Sequence, residues 1–575
     1  MRIHWPADTV FHRLVLDVEQ DCCSHCGSRL HICAHRTRRF YTLQYPLELC
    51  CRLAHCSDPS CPNRPQTLSP TAELSLALPG WHIAWDVFCF IGHRRFARHW
   101  SVPQILAELR DSYAIRLSAD AISVYIHHYQ SMVAARQQDF AQMYRVYRDI
   151  PYLALTIDGL QPEKGHETLY AVRELNAQRV WFGTALLESS AAEVRHLLVR
   201  AHAMAQRLGK PIRLWLSDKQ DAFVKGIASV FPGVPHRYCA NHFLRDLAKP
   251  MLETDSHAKV RLRKKVRGLR AIEREMLQHR RKTESQAIKL QGVTSKSLGG
   301  TGTSNGQRAS TAEPERVGQV VWTEECDSPR AAKRDEAGQV VLDYCAAVRG
   351  ILNDDQGGPL HPPGLRMAEA LAEVRASLGR NLKLNKPGPA HGQLERLAGC
   401  IDRGLDEAKV QQEQVREQLQ EIRKIAETLN EETGTLKKRQ NKYERLLKQY
   451  QSKGEEFHEH LAKTLTSWAA GLFVRMKGRK QENIPTDNLD LERWFRIPKG
   501  HERRIHGHRH AGVRIVQEGP TLLLVLDAHV AHSEPFTAED LLPYRFAQDP
   551  PDQQEAVQRR KIMRKARSQK KENIC

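Results

Sequence analysis

Residues 152–160 read Tyr152-Leu-Ala-Leu-Thr-Ile-Asp-Gly-Leu160, and the fold can be inferred by starting from this stretch. An apolar run of this length that ends at a carboxylate and a glycine is typical of a buried β-strand. Ile212-Arg-Leu-Trp-Leu-Ser-Asp218 repeats the same pattern. If the two strands are parallel, Asp158 and Asp218 lie at the same edge of one sheet, where open α/β sheets bind ligands.

Two carboxylates at one edge of a sheet repel each other unless a cation offsets their charge. Hard divalent cations such as Mg²⁺ or Mn²⁺ prefer oxygen ligands of this kind. The pair Asp158 and Asp218 therefore predicts a metal-dependent active site that cuts phosphodiester bonds.

The residues around these two strands alternate between strand and helix patterns. Residues 168–175 and 180–187 have the pattern of further strands, and residues 190–208 and 221–231 have that of helices. A last short strand is expected from residue 235. This order predicts an α/β fold with a mixed sheet and helices on both faces.

The composition restricts the class of partner. The chain has 575 residues, with 87 Lys and Arg against 67 Asp and Glu, which gives a formal net charge of +20. Such a charge favours a polyanion such as nucleic acid, although a generically basic protein remains the alternative. We find no apolar run of transmembrane length and no signal-peptide pattern at the start, so we expect no membrane partner and an intracellular, reducing compartment. Cysteines in that compartment are thiols or metal ligands more often than disulfides.

The cysteines of residues 1–70 are spaced like those of a zinc ribbon. Cys23 and Cys26 form one close pair, and Cys56 and Cys61 form a second pair after a strand-rich spacer. Each pair can supply two thiolates to a structural, tetrahedral Zn²⁺. Four nearby cysteines are spare: Cys22, Cys33, Cys50 and Cys51. Four histidines could substitute as ligands: His25, His31, His35 and His55.

Residues 85–150 are expected to be helical. Helices with good caps start at Ser101 and Ser118, and their spacing suggests a helix-turn-helix that binds DNA. The upstream Arg94 and Arg95 would suit contacts with DNA phosphates. An ordinary helical hairpin is the alternative interpretation of the same pattern.

Residues 251–480 interrupt the α/β pattern with a long insertion. Its segment from about 291 to 335 is rich in Gly, Ser and Thr and is expected to be disordered. A heptad pattern over residues 394–452 predicts a coiled coil. That coiled coil could pair with a helix at 256–278 or with a second chain. Its sevenfold positions are Leu394, Ile401, Ala408, Val415, Ile422, Leu429, Leu436, Tyr443 and Tyr450.

Residues 486–496 contain further candidate site residues. This stretch, Thr486-Asp-Asn-Leu-Asp-Leu-Glu-Arg-Trp-Phe-Arg496, resembles the start of a capped helix. Glu492 shares one helical face with three cations that could contact DNA phosphates: Arg496, Lys499 and Arg503. An exposed ladder of ion pairs is the alternative. Asp487 and Asp490 compete with Glu492 for the role of metal ligand. The basic tail, residues 549–575, is expected to be disordered until it meets an anion.

The order of these motifs resembles that of DDE transposases with an RNase H-like core. The chain is most similar to the bacterial insertion-sequence group (ISL-three-type) that is allied to the eukaryotic Mutator-like elements. In that group a first aspartate lies in an x-Asp-Gly strand end, as Asp158 does here, and a second follows a serine, as Asp218 does. A Cys-x2-His motif comes next, matched by Cys239 and His242.

The third acid of the group lies in a Thr-x-Asn-x-x-Leu-Glu helix that follows a helical insertion. Four residues match this motif here: Thr486, Asn488, Leu491 and Glu492. The resemblance covers roughly residues 20–65, 90–250 and 485–515. The insertion of this chain is larger than the family pattern, which leaves open how the helix of Glu492 returns to the sheet.

The resemblance implies an RNase H-like core formed by residues 151–250 and 481–548, with Asp158, Asp218 and Glu492 as the catalytic triad. Two Mg²⁺ or Mn²⁺ ions would be held by the triad, with Asp158 bridging both. The enzyme would cleave DNA at terminal inverted repeats and transfer strands into target DNA, as a homo-oligomer in the bacterial cytoplasm at the nucleoid. Cys239 and His242 would give structural support.

Two alternatives remain from the sequence. The chain could be a non-catalytic or domesticated DNA-binding protein derived from a transposase, with a zinc ribbon and helix-turn-helix but a vestigial core. It could also be a coiled-coil scaffolding protein whose basic charge only aids solubility.

Overall fold

The structure is a computed structural model that describes residues 5–162, 167–294, 329–384, 387–474, 485–507 and 514–572. It is a mixed α/β protein with two mixed sheets. The chain divides into two compact units, of which the first comprises Met1–Phe243 with Ser467–Cys575 and the second Leu244–Thr466.

The first unit begins with a three-stranded sheet. Its strands are β1 (His12–Leu16), β2 (Leu30–Tyr41) and β3 (Pro46–Cys56). Strand β3 lies in the centre, parallel to β1 and antiparallel to β2. One face of this sheet buries a small apolar cluster that includes Phe40, Leu47 and Leu49.

Five helices follow the small sheet. They are α1 (Glu73–Leu76), α2 (Trp85–Phe96), α3 (Val102–Tyr113), α4 (Ala119–Gln138) and α5 (Phe140–Tyr147). Helices α3 and α4 start directly after Ser101 and Ser118. The backbone N–H of Ser101 donates to the side-chain oxygen of Gln104 at 2.9 Å, and the hydroxyl of Ser118 accepts the backbone N–H of Ala121 at 3.2 Å. Half of the residues of α4 are buried, including Tyr129.

The second sheet of the first unit has five strands. They are β4 (Leu153–Leu160), β5 (Thr168–Glu174), β6 (Arg179–Leu186), β7 (Ile212–Ser217) and β8 (His236–Tyr238). Their order across the sheet is β6-β5-β4-β7-β8. Strands β4, β5 and β6 form an antiparallel meander, and β7 and β8 continue parallel to β4.

Helices cover both faces of this sheet, as the sequence predicts. Strands β6 and β7 are connected through α6 (Ala191–Leu208), and α7 (Asp221–Val230) and α8 (Ala240–Leu247) follow β7 and β8. Along β5 the side chains alternate: Tyr170 and Val172 pack with α6 and α7, whereas Leu169 and Ala171 belong to the core shared with α2 and α4. The sheet is therefore buried on both sides.

The second unit is helical. Its helices are α9 (Lys249–Lys265), α10 (Leu269–Thr294), α11 (Pro329–Asn353), α12 (Pro363–Leu384), α13 (Pro389–Leu429), α14 (Leu436–Gln451) and α15 (Glu456–Leu472). The last of these runs on into the first unit. Leu394 and Ile401 of α13 pack in one cluster with Leu262 of α9, so the predicted seam is buried within the chain.

The prediction of one coiled coil over residues 394–452 is wrong in its second half, because the helix ends at Leu429 and a new one starts at Leu436. Between them Gly434 adopts a φ of +145°, which side chains rarely allow. The two helices then run antiparallel: Lys442 Nζ lies 2.9 Å from Glu427 Oε2, and the hydroxyl of Tyr450 donates to Glu421 at 2.8 Å. The heptad pattern continues past the turn because each helix of this hairpin buries its heptad positions, for example Ile422 on α13 and Tyr443 on α14.

The segment predicted to be disordered, residues 291–335, lies mostly outside the described residues. Its two ends are helical, because α10 runs to Thr294 and α11 begins at Pro329.

The chain returns to the first unit with six short or medium helices. They are α16 (Leu489–Trp494), α17 (Arg496–His506), α18 (Arg514–Gln517), α19 (Gly519–Ala531), α20 (Ala538–Leu541) and α21 (Pro551–Glu572). Helix α19 is apolar on almost every side and lies in the core beside the five-stranded sheet.

The predicted disorder of the tail, residues 549–575, is wrong for the part that α21 occupies. The start of α21 is fixed to the core, since Gln553 accepts a hydrogen bond from the backbone N–H of Thr521 at 3.1 Å. Further along, Arg559 and Arg560 both pair with the buried carboxylate of Glu167. Runs of Lys and Arg predict disorder only where no buried acid is available to hold them.

Candidate active site

Asp158 lies on β4, the central strand of the mixed sheet, and the strand continues through it to Leu160. Its Oδ1 accepts a hydrogen bond from the backbone N–H of Gly159 at 2.7 Å. A β-carbon at Gly159 would approach the side chains of Thr168 and Tyr170 to 2.8 Å, so glycine allows β5 to pair closely beside the aspartate. Asp158 is therefore held on a central strand at a point where side chains of the neighbouring strand pack closely.

Asp218 comes directly after β7, and the parallel pairing of β4 with β7 brings it to the same sheet edge as Asp158. Its Oδ1 accepts a hydrogen bond from the backbone N–H of Gln220 at 3.3 Å. The preceding Ser217 is fully buried; its hydroxyl donates to the Asp218 carbonyl at 2.7 Å and lies 2.8 Å from His236 Nε2. Burial lowers the pKa of His236 to about 4, so this ring is neutral and supports Ser217 without adding charge.

Glu492 is brought to the sheet by the residues just before it. The backbone N–H of Ala240 donates to the carbonyl of Thr486 at 3.0 Å, and the backbone N–H of Asn488 donates to Cys239 Sγ at 3.2 Å. The hydroxyl of Thr156 on β4 donates to the side-chain oxygen of Asn488, which is completely buried. The Thr-x-Asn motif thus attaches the start of α16 to β4 and to the turn after β8.

The carboxylate of Glu492 faces the first turn of α8. The amide of Asn241 donates to its two oxygens at 3.4 and 3.5 Å, and His242 Nδ1 lies 3.7 Å from Oε1. Asn241 is a site residue that the sequence did not reveal, because an asparagine at the middle of Cys-x2-His carries no spacing signal of its own. Cys239 and His242, which we predicted to be supporting residues, have different partners. Cys239 accepts a hydrogen bond from Asn488, and His242 lies beside Glu492.

The negative charges of Asp218 and Glu492 both act on the carboxyl group of Asp158. Burial raises the pKa of Asp158 to about 7; the Gly159 N–H opposes this shift, and the negative charges of Asp218 and Glu492 add to it. The ammonium of Lys499 acts in the opposite direction. Among the described residues, the three carboxylates do not form a group whose ligand atoms all lie within 4.8 Å of one another. The negative charge around Asp158 nevertheless suits a cation with oxygen ligands.

The rival acids of the Glu492 helix have other partners. Asp487 Oδ1 accepts the backbone N–H of Leu489 at 3.0 Å, as an acid at the start of a helix commonly does. Asp490 binds the guanidinium of the buried Arg173 at 2.9 Å, and the same arginine binds the buried Asp527 of α19 at 3.0 Å. These contacts make Asp487 and Asp490 structural residues of α16.

The predicted DNA-contacting cations fall into two groups. Arg496 and Arg503 are exposed, and Lys499 is partly buried, where burial and the charge of Arg503 lower its pKa. Arg95, by contrast, is only 4% exposed and donates to the carbonyl of Trp100 at 3.1 Å, so its prediction as a phosphate contact is wrong. Its neighbour Arg94 stacks on the rings of Phe90 and Trp100.

The second helix of the predicted helix-turn-helix, α4, presents little charge to solvent. The exposed positions over its first three turns are Ala119, Asp120, Ser123, Val124 and His127. A helix that reads a DNA groove is expected to expose basic or amide side chains. The surface of α4 therefore favours the alternative of an ordinary helical hairpin.

Four cysteines of the small sheet lie together at one end of β3. The sulfur atoms of Cys23, Cys26, Cys56 and Cys61 are all within 4.8 Å of one another. The Cys23–Cys61 pair is 3.8 Å apart and the Cys26–Cys56 pair 3.3 Å. Four thiolates bound to Zn²⁺ at about 2.3 Å are about 3.8 Å apart, so the group fits a tetrahedral zinc ion. The other cysteines and the four histidines that we considered as substitutes are not part of this group.

Comparison with known proteins adds no family to this description. A scan against models of protein families finds no match, and a search of curated proteins finds no significant similarity. Among the described residues, no helix is at once long and apolar enough to span a bilayer.

Proposed function

We propose that the protein is a DDE transposase that cleaves DNA and transfers the cut strand to a target. The observation that carries this proposal is that parallel pairing of β4 with β7 brings Asp158 and Asp218 to one sheet edge, while Asn488 attaches the helix of Glu492 to β4. The charges of Asp218 and Glu492 act on Asp158 although 60 and 274 residues separate successive members of the triad. An acid triad from two neighbouring strands and a later helix is the arrangement that the motif resemblance implies.

The order of the strands supports an RNase H-like core. A meander of three antiparallel strands, followed by two strands parallel to the first, is the topology expected of that fold, and β6-β5-β4-β7-β8 has it. The long helical insertion falls between the last strand and the helix of Glu492, as in the motif order of the family.

The three carboxylates would hold two Mg²⁺ or Mn²⁺ ions. Such ions, when bound, stabilise the charge on the attacking and leaving oxygens of a phosphodiester in an in-line displacement. Asp158 lies on the central strand of the five-stranded sheet and would be the ligand shared by both ions, as the resemblance implies. Lys499 is placed to neutralise a phosphate oxygen beside the acids, and the exposed Arg496 and Arg503 continue a basic surface along the same helix.

The partners follow from charge and from the cysteine cluster. The net charge of +20 and the basic sequence of α21 suit DNA, in the form of terminal inverted repeats and target DNA. We assign the zinc ribbon to recognition of the element ends, and we treat α3 and α4 as an ordinary helical hairpin. The protein would act as a homo-oligomer in a bacterial cytoplasm, at the nucleoid.

A plasmid assay tests the proposal. The substrate is a supercoiled plasmid that carries the gene with its flanking DNA, incubated with the full chain and Mg²⁺ or Mn²⁺. We expect metal-dependent nicking at the element ends, abolished in Asp158→Ala, Asp218→Ala and Glu492→Ala, with end binding retained in gel shifts. Nicking that survives Asp218→Ala would refute the triad. Binding without cleavage by the wild type would instead indicate a domesticated DNA-binding protein.

A further inference from the structure

Glu492 belongs to a second group of possible metal ligands besides the three carboxylates. One ligand atom each of Cys239, His242 and Glu492 lies within 4.8 Å of the others. Sulfur and imidazole nitrogen select borderline ions such as Zn²⁺, whereas sites made only of carboxylates suit Mg²⁺ and Mn²⁺. The two groups therefore differ in the class of ion they prefer, and they share one residue.

In this second group, one ring nitrogen of His242 is available to bind a metal ion. His242 Nδ1 is buried and has no hydrogen-bond partner among the described residues, since Glu492 Oε1 at 3.7 Å is beyond hydrogen-bond range. A buried ring nitrogen without a partner costs free energy, which a bound metal ion would recover. The ring is directed at the acid by the first turn of α8, where Cys239, Asn241 and His242 follow one another.

A backbone hydrogen bond fixes the position of the Cys239 sulfur. The sulfur is completely buried, and the backbone N–H of Asn488 donates to it at 3.2 Å. Such a donor stabilises a thiolate and orients it, as outer contacts of metal ligands commonly do. The side chains of His242 and Glu492 are 26% and 21% exposed, so an ion can enter from their side and keep a water as fourth ligand.

We propose that Cys239, His242 and Glu492 form a Zn²⁺ site that competes with the catalytic ions for Glu492. With zinc bound, the carboxylate of Glu492 would be held beside His242, where it already lies, and would be unavailable to ions held by Asp158 and Asp218. Zinc would then inhibit the enzyme reversibly, at a site separate from the four-cysteine cluster. The inhibitory part of this inference depends on the proposed function, whereas the binding part does not.

The binding part is tested by the zinc stoichiometry of the full chain, measured by titration with Zn²⁺ against a competing chelator. We expect two tight sites in the wild type and one in Cys239→Ser, in His242→Gln and in Glu492→Gln. Cys56→Ser should lose the other site and keep this one. Cys345→Ser, which changes an equally buried cysteine outside both groups, should retain two.

His242→Gln is the decisive variant, because it preserves the contact between Cys239 and Asn488 that helps to place α16. A single zinc in the wild type, or two in a correctly folded His242→Gln, would overturn the inference.

The inhibitory part is tested in the plasmid assay with Mg²⁺ and increasing Zn²⁺. The zinc concentration that halves cleavage should rise at least about tenfold in His242→Gln, relative to that variant's own activity without zinc. An unchanged inhibitory concentration would refute the competition. If no cleavage is ever detected but two zinc ions bind, the proposed function fails and the zinc site stands.

Discussion

The four-cysteine cluster and the three-carboxylate site are built in opposite ways. Three of the cysteines lie on loops and Cys56 ends β3, and their own buried cluster consists of Cys23, Cys56 and Cys61 with Leu30 packed against it. Two of the carboxylates lie at the edge of a sheet that buries large apolar clusters on both faces, and the third lies on helix α16. We therefore expect a metal ion to stabilise the local fold at the first site. At the second site the proposed function requires the fold to position the residues that would hold metal ions.

This difference explains which contacts surround each site. Around Glu492 the protein uses buried hydrogen bonds and ion pairs, such as Thr156 with Asn488 and Arg173 with Asp490, to hold charges that repel each other. Around the cysteines short backbone turns suffice, for example the bond from Gly27 N–H to Cys23 carbonyl at 2.9 Å. Four predictions test this contrast, in order of expected effect.

The largest effect should come from removing zinc. Structural zinc ions contribute on the order of 10 kcal/mol to small domains, so a strong chelator should unfold the loops around residues 20–30 and 56–66. We expect limited proteolysis to cut there first while the mixed sheet stays intact. Cys26→Ser should reproduce this pattern. Cys33→Ser is the matched control, because Cys33 is also exposed but lies outside the cluster.

A smaller effect is expected from Arg173→Met, which leaves the buried Asp527 without its main cation. Breaking one partner of a buried pair costs about 3–5 kcal/mol of unfolding free energy, measurable by urea denaturation. Arg179→Met is the control, because Arg179 is 26% exposed and 4.0 Å from Asp527; it should cost less than about 1 kcal/mol. Equal losses in both variants would contradict a structural role of Arg173.

Next in size is Thr156→Val, which removes the donor to Asn488 while keeping the shape of the side chain. The buried side-chain oxygen of Asn488 then lacks a partner, at a cost of about 1–3 kcal/mol. Because this bond attaches α16 to β4, cleavage should fall more than stability alone explains. Thr184→Val, a part-buried threonine on β6 that bonds to Asp552, provides the comparison for stability. Unaltered cleavage in Thr156→Val would show that α16 is held by its other contacts.

The smallest expected effect is a gain in stability. Asp218→Asn relieves repulsion on Asp158, so without added divalent ions the variant should be as stable as the wild type or more stable by about 1 kcal/mol. Added Mg²⁺ should raise the urea midpoint of the wild type and leave that of Asp218→Asn unchanged. Asp487→Asn, which keeps the helix cap, should behave like the wild type. Loss of stability in Asp218→Asn would contradict the stored repulsion.

The sequence was sufficient for features that depend on local pattern. The strands of Asp158 and Asp218 follow from apolar runs that end at an acid, and the cysteine pairs follow from spacing. The direction of each side chain on a helix was harder to predict. Arg94 and Arg95 are neighbours in a basic run. Arg94 nevertheless stacks on the ring of Phe90, whereas the side chain of Arg95 is buried.

Features that depend on distant contacts could not be predicted. The buried carboxylate of Glu167 forms ion pairs with Arg559 and Arg560 and so holds the basic tail. No periodic pattern in the sequence identifies such an acid in advance. The heptad pattern continued through a turn because both arms of the α13–α14 hairpin bury one face. Asn241 reaches Glu492 only because α8 and α16 start side by side, which depends on the contact of Cys239 with Asn488.

The central claim is that three acids far apart in the chain bind the same ions. Fe²⁺ substituted into the Mg²⁺ site, with ascorbate and peroxide, cuts the peptide backbone near its ligands, and the cuts can be mapped by mass spectrometry. We expect cuts near residues 158, 218 and 492, all suppressed by excess Mg²⁺ and all lost in Asp158→Asn. Cuts near 158 and 218 without one near 492, or cuts that Mg²⁺ does not suppress, would contradict the account.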